Sequence, residues 1–207
     1  MPKQTNKVIK TLIASDIFLN SGWGLIGPIF AIFLLQSIEG GNAAVAGMAA
    51  AIYWIVKSML QIPIGKYLDK NHGEIDDFYF MFTGLMLTGL VPFGYLFASL
   101  PWHIYALQAL YGLGMAMDVP AWYAIFTRHI DHGKEAYEWG LASTIMGFSF
   151  GLAGAIGGLI IYTLGFRMMF VVVGLCTFAS AGIYFFIRKD IIARHVPGQA
   201  AKTPPIK

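Results

Sequence analysis

The chain has 207 residues, 57% of them hydrophobic and 15% aromatic but only 12% charged, about half the charged share of an ordinary soluble domain. A single water-soluble core of this size cannot enclose several long apolar runs, so composition excludes a soluble globular protein and leaves a polytopic membrane protein. The net charge of +3 follows from where Lys and Arg fall around those runs and gives no sign of nucleic-acid binding.

In chain order the apolar stretches are Lys10–Leu35, Ala43–Leu68, Phe78–Leu100, His103–Thr127, Gly140–Leu164 and Arg167–Ile187. Each reaches the ~20 residues that cross a bilayer as a helix, and Gly, Pro and charged residues stand between them. Short alternating segments, the mark of a membrane barrel, are absent, so the fold class is an all-α membrane protein with six transmembrane helices. The basic N-terminus runs into the first stretch without an A-x-A cleavage site, which predicts a retained first span. Residues 1–190 form the predicted six-helix domain, and 191–207, with Pro197, Gly198, Pro204 and Pro205, are expected to be a disordered tail. The chain is expected to be complete in itself. Its one cysteine, Cys176, lies inside the last stretch and has a packing role.

Basic residues set the orientation. Lys3, Lys7 and Lys10 precede the first span, and Lys66 and Lys70 border the second break. Arg128 and Lys134 occupy the fourth break, and Arg188, Lys189, Arg194, Lys202 and Lys207 follow the last span. The opposite side carries only Arg167. Both termini are therefore expected on the cytoplasmic side of a cell membrane, plasma or inner, crossed several times.

Three charges fall inside the spans. A charged group at that depth costs ~2.5–3.5 kcal/mol, so it faces protein or a wet cavity. At ~1.5 Å per residue, Asp16 lies ~9 Å inward from Lys10, Lys57 ~18 Å from Asp69 and Asp118 ~15 Å from Arg128, which brings all three toward one layer. Each belongs to a stripe. Asp16, Asn20, Trp23, Gly24 and Gly27 recur at helical spacing on the first helix. Tyr53, Lys57 and Gln61 do so on the second, and Gln108, Tyr111, Met115, Asp118 and Trp122 on the fourth. These stripes predict one cavity between three helices, binding a small-molecule substrate or a proton. A carboxyl group there can exchange a proton against a bound cation or a change of conformation. The competing reading pairs Lys57 with one Asp as a structural ion pair.

The fifth helix carries Gly140, Thr144, Gly147, Gly151, Gly154 and Gly158 on one face, with G-x-x-x-G at Gly147/Gly151 and Gly154/Gly158. Such a face lets another helix backbone approach closely, inside the chain or in a second copy. Gly147-Phe148-Ser149-Phe150-Gly151 also fits G-x-S-x-G, but inside a helix it presents no nucleophile. His72, His103, His129, His132 and His195 lie in loops or at span ends, so no buried base stands ready for Ser149, and the chain does not read as an enzyme. His129, Asp131 and His132 form a solvated loop cluster. No metal or cofactor is expected.

The stretch Gln61–Asp77 carries Gly65, Asp69, Lys70 and Gly73 at the spacing G-x-x-x-D-K-x-x-G. It resembles the signature loop between the second and third helices of major facilitator superfamily transporters, typically G-x-x-x-D-R/K-x-G-R/K-R/K. The second glycine comes one residue late, and Glu74 stands where basic residues follow in the family. Gly165-Phe166-Arg167-Met168-Met169-Phe170 resembles the start of the sixth helix in those proteins. The fifth-helix glycines are similar to the antiporter motif without its proline, and the fourth helix carries Asp118 where proton-coupled members often have a basic residue. The six-span layout resembles one half of such a transporter, whose two halves enclose the substrate. The resemblance implies a half-size secondary transporter working by alternating access, proton-coupled, on a small organic or drug-like solute. Its partners would be membrane lipid and a second copy, in a parallel homodimer joined across the second and fifth helices. Asp69 would then meet the partner's fifth-helix N-terminus around Glu138–Gly140 as a gate latch, or else cap its own loop. The alternative is a non-transporting scaffold, or a half that pairs with a different six-helix protein.

Overall fold

In a bilayer every backbone N–H and C=O must be paired within its own segment, and a chain this apolar meets that demand with helices. The structure, a computed structural model, describes residues 6–71 and 73–194, and these form helices with no strand among the described residues. α1 (Lys7–Ile26) starts where the Asn6 side chain accepts the Val8 N–H at 3.0 Å. A 3-10 turn at Gly27–Ile29 follows, where Pro28 has no N–H to continue the α ladder, and α2 (Phe30–Ser37) completes one kinked rod. α3 (Ala43–Asn71) is opened by Asn42, whose side chain accepts the Val45 N–H at 3.0 Å. α4 (Ile75–Tyr95) stops short of the expected Leu100. α5 (Pro101–His129) begins with Pro at its first position, and His103 Nδ1 accepts the Ser99 and Leu100 N–H groups at 3.2 Å.

α6 (Glu135–Ile183) joins the fifth and sixth predicted spans, bent at Gly165, whose φ of 75° and ψ of 174° only glycine adopts at little cost. α7 (Phe185–Arg194) prolongs the second arm of α6. Helix therefore continues past the expected domain end at 190, while the rest of the expected tail, 195–207, lies outside the described residues.

Four helical runs are long and apolar enough to cross a membrane: Lys7–Ser37, Ala43–Lys70, Ile75–Tyr95 and Glu135–Arg188. The last has 54 residues, which at ~1.5 Å per residue is long enough for two crossings, and Gly165 divides it. α5 has the same 29 residues as the helical part of α3. It falls outside this set because His103, Gln108, Asp118 and its Tyr and Trp residues dilute its apolar character. Among them, Gln108, Tyr111, Asp118 and Trp122 are residues the sequence marks as a candidate site.

α1 lies along α6, α5 is held between α3 and α4, and α4 also packs on α6. α3 touches little besides α5 and leaves most of its surface uncovered. Two clusters of buried side chains fill the bundle. One gathers Leu12, Phe78, Leu85, Trp122, Phe126 and Tyr184. The other gathers Phe33, Leu34, Val91, Tyr95, Ile104 and Phe170, with Phe33 and Phe170 meeting edge to face at 4.7 Å. Glycine brings the backbones together: a methyl group on Gly24 would lie 2.6 Å from Phe150 O, and one on Gly157 would lie 2.4 Å from Leu25 O. In the same α1–α6 seam, the Ser15 and Ser180 hydroxyls meet at 2.7 Å.

At the end of the bundle where α1 begins, Arg128 at the close of α5 pairs with the fully buried Asp77 at the start of α4. His129 Nδ1 lies 2.9 Å from Ile125 O and 3.6 Å from Glu74 Oε1, and the buried Glu138 accepts the Asp131 N–H at 3.2 Å. Lys7 and Asp190, 2.7 Å apart, tie the first helix to the last.

Candidate functional site: an acidic, aromatic cavity between three helices

Residues at i, i+3 and i+4 share a helix face, and three such faces from α1, α5 and the first arm of α6 enclose a cavity of about 370 Å³. α1 contributes Asp16, Leu19 and Asn20; α5 contributes Met115, Asp118, Val119, Trp122 and Tyr123; α6 contributes Trp139, Ala142, Ser143 and Met146. Asp16 and Asp118 are 4% and 3% exposed. Asp118 Oδ1 accepts a hydrogen bond from the Tyr184 hydroxyl at 3.2 Å, which ties α5 to the junction of α6 and α7. Asp16 Oδ2 and the Trp122 indole N–H lie in neighbouring side chains, and neither makes a hydrogen bond of normal geometry. Asn20 Nδ2 donates to the Asp16 backbone carbonyl at 2.9 Å, which leaves the Asp16 carboxylate to the cavity.

The predicted site residues divide into groups. Asp16, Asn20, Met115, Asp118 and Trp122 line this cavity together. Trp23, Tyr111 and Tyr53 form a continuous stack about 10 Å along the helices from the carboxylates. The Trp23 and Tyr111 rings are 3.9 Å apart and 3° from parallel, and those of Tyr111 and Tyr53 are 4.3 Å apart. Lys57 makes no ion pair with Asp118. Its ammonium lies over the Trp54 ring at 5.1 Å and the Tyr53 ring at 5.9 Å, within electrostatic reach of Asp118. Gln108 is turned away, donating to the Tyr95 hydroxyl at 3.2 Å inside the other core cluster. Gln61 lies in a separate groove of about 560 Å³, walled also by Gly65, Lys66, Asp69, Pro120, Tyr123, Thr127 and Arg128.

The expected signature loop is mostly helix. Gly65, Asp69 and Lys70 belong to the last turns of α3, and Gly73 is buried in the short link to α4. Asp69 is exposed and makes no side-chain hydrogen bond among the described residues. The glycine face of α6 also divides: a methyl group on Gly154 would lie 3.3 Å from Pro28 Cγ, whereas one on Gly147, Gly151 or Gly158 would meet nothing within 4 Å. Gly147 and Gly151 floor an open groove with Ser143, Thr144, Phe148 and Leu152.

Sequence reasoning missed Tyr184, Tyr123, Trp139, Ser143 and Met146. Trp139, Ser143 and Met146 follow one another at i+4 and i+3, a stripe that helical periodicity carries and the glycines overshadow. Tyr184 reaches Asp118 across 66 positions of sequence, and no local pattern signals that contact.

No curated protein matches the chain. A family model described as the Major Facilitator Superfamily matches residues 13–207. That span takes in every wall of the cavity, the α1–α6 seam and the signature segment at the end of α3. The chain therefore belongs to the major facilitator superfamily of membrane transporters.

Proposed function

We propose that the chain is a half-size secondary transporter that works as a parallel homodimer by alternating access, coupled to protons, on a small organic solute. The observation that carries this reading is the cavity. Two buried carboxyl groups, an amide and three aromatic rings line one space at membrane depth in an otherwise apolar bundle. Polar groups at that depth are costly unless they serve a solute or an ion path. Asp118, held by Tyr184, is the proton-carrying group of the proposal.

The homodimer supplies the second half that superfamily transporters place across the substrate. Its support is surface. α3 exposes Trp54, Met59 and Ile62, and the first arm of α6 exposes Phe148 and Leu152 beside the open glycines. A two-fold axis along the membrane normal would set α3 of one copy against α6 of the other and put Asp69 near the Glu138–Gly140 turn of its partner. The distribution of Lys and Arg supports cytoplasmic termini.

Two measurements test the proposal. Native mass spectrometry of the nanodisc-released protein should give a dimer. A clean monomer would move a partnership with a different half, or a scaffold role, ahead of it. In proteoliposomes containing trapped pyranine, small organic solutes should elicit proton flux, and Asp118→Asn should abolish it while the assembled protein stays intact. Unchanged flux in that variant would remove Asp118 from the mechanism.

A further inference from the structure

The cavity walls carry charge of one sign. None of the lining side chains is Lys, Arg or His, and the two ionisable ones are Asp16 and Asp118. Asp118 is offset twice, by the Tyr184 hydroxyl and by the field of Lys57. Asp16 has neither. It is 4% exposed, faces the cavity and leaves Oδ2 without a hydrogen bond of normal geometry. A buried acid with no basic neighbour is costly, so an aspartate in the wall of a cavity that holds no Lys, Arg or His is a group suited to a positive ligand. With Asp118 engaged by Tyr184, Asp16 is the one acid of the cavity with no hydroxyl partner, which suits a single positive charge.

The rings define the rest of the ligand. Trp122, Tyr123 and Trp139 form an angled corner, with Trp122 and Trp139 centroids 6.0 Å apart, Tyr123 and Trp139 5.8 Å apart, and Trp122 and Tyr123 edge to face at 5.5 Å. Met115 and Met146 complete the apolar wall. Ring faces attract an organic cation, and thioethers adapt to flat apolar groups. A bare divalent ion would want six or more oxygens, and no group of three His, Cys, Asp or Glu side chains stands together among the described residues. A volume of about 370 Å³ is of organic-ligand size. We propose that this cavity binds a monovalent organic cation bearing an aromatic or apolar face, with Asp16 as its counter-ion and Trp122, Tyr123 and Trp139 as its walls. The assignment rests on the reading of the cavity as the solute site.

The test is equilibrium binding of ethidium to the full chain in phosphatidylcholine nanodiscs, with empty nanodiscs subtracted. Ethidium should bind, and Asp16→Asn should weaken it at least tenfold. Benzyltrimethylammonium should displace it, whereas benzyl alcohol and benzenesulfonate at equal concentration should not. Equal binding to the wild type and Asp16→Asn would overturn the proposal, as would displacement by benzenesulfonate matching that by benzyltrimethylammonium. If Asp16→Asn does not assemble, the displacement series on the unaltered protein decides alone, with Trp139→Leu as a second variant expected to lose affinity. Binding is read without flux, so the two readings fail separately. Selective cation binding with no transport in liposomes would sink the transporter and leave this site standing; transport of anions alone would sink the cation site and leave the transporter.

Discussion

The first arm of α6 carries glycine on two faces, and the faces have opposite fates. Toward α1, Gly157 meets Leu25 so closely that a single added carbon would sit 2.4 Å from its carbonyl oxygen, and Gly24 returns the approach against Phe150. Toward the outside, Gly147, Gly151 and Gly158 face open space. The same residue type thus closes a seam on one side and leaves an unused track on the other. Glycine spacing tells where a backbone can approach, and among the described residues only the inner face has a neighbour.

The comparison breaks first at the inner seam. Gly157→Leu forces four carbons into the Leu25 backbone, and we expect a loss of ~3 kcal/mol or more, seen as aggregated protein in size-exclusion chromatography or a steep fall in melting temperature. A variant that runs and melts like the wild type would mean the seam is looser than described. Ser15→Ala, next in size, removes the hydroxyl pair with Ser180 and should cost ~0.5–2 kcal/mol in thermal unfolding. On the outer face, Gly147→Ala meets nothing and should leave stability unchanged or raise it by up to ~1 kcal/mol, through helix propensity alone. Smallest for the single bundle is Gly151→Leu, within ~0.5 kcal/mol. If the outer track seats a second copy, the same variant should remove the dimer peak in native mass spectrometry. A dimer that survives Gly151→Leu would place the contact elsewhere.

Helical periodicity made the helices and half of the site legible. Asp16, Asn20, Met115, Asp118 and Trp122 were marked by their spacing and do share a wall. The method fails where a side chain has a choice of partners. Gln108 lies on the same stripe as Asp118, yet the Tyr95 hydroxyl offers it a buried acceptor and takes it out of the cavity. Lys57 is long enough to swing onto ring faces rather than pair with Asp118. Tyr184 was invisible because its role depends on how the last helix folds back on α5. The G-x-x-x-G pairs marked a candidate interface face, but the tightest glycine approach on the first arm of α6 belongs to Gly157, outside that pattern. The signature stretch resembled a loop because its charges read as solvent-facing, and α3 carries those charges as ordinary helical turns through Asn71.

The positive-φ residue at Gly165, one of three such glycines among the described residues, bears on how the protein is made. Between Glu135 and Arg188 apolar helix runs for 54 residues, and its one non-helical backbone position is Gly165. Where this run enters the bilayer as two crossings, the reversal falls at that residue. Replacing Gly165 with valine leaves every packing contact available but penalises the reversal itself, so the expected lesion is a fault of topology, with the C-terminal tag stranded on the wrong side of the membrane.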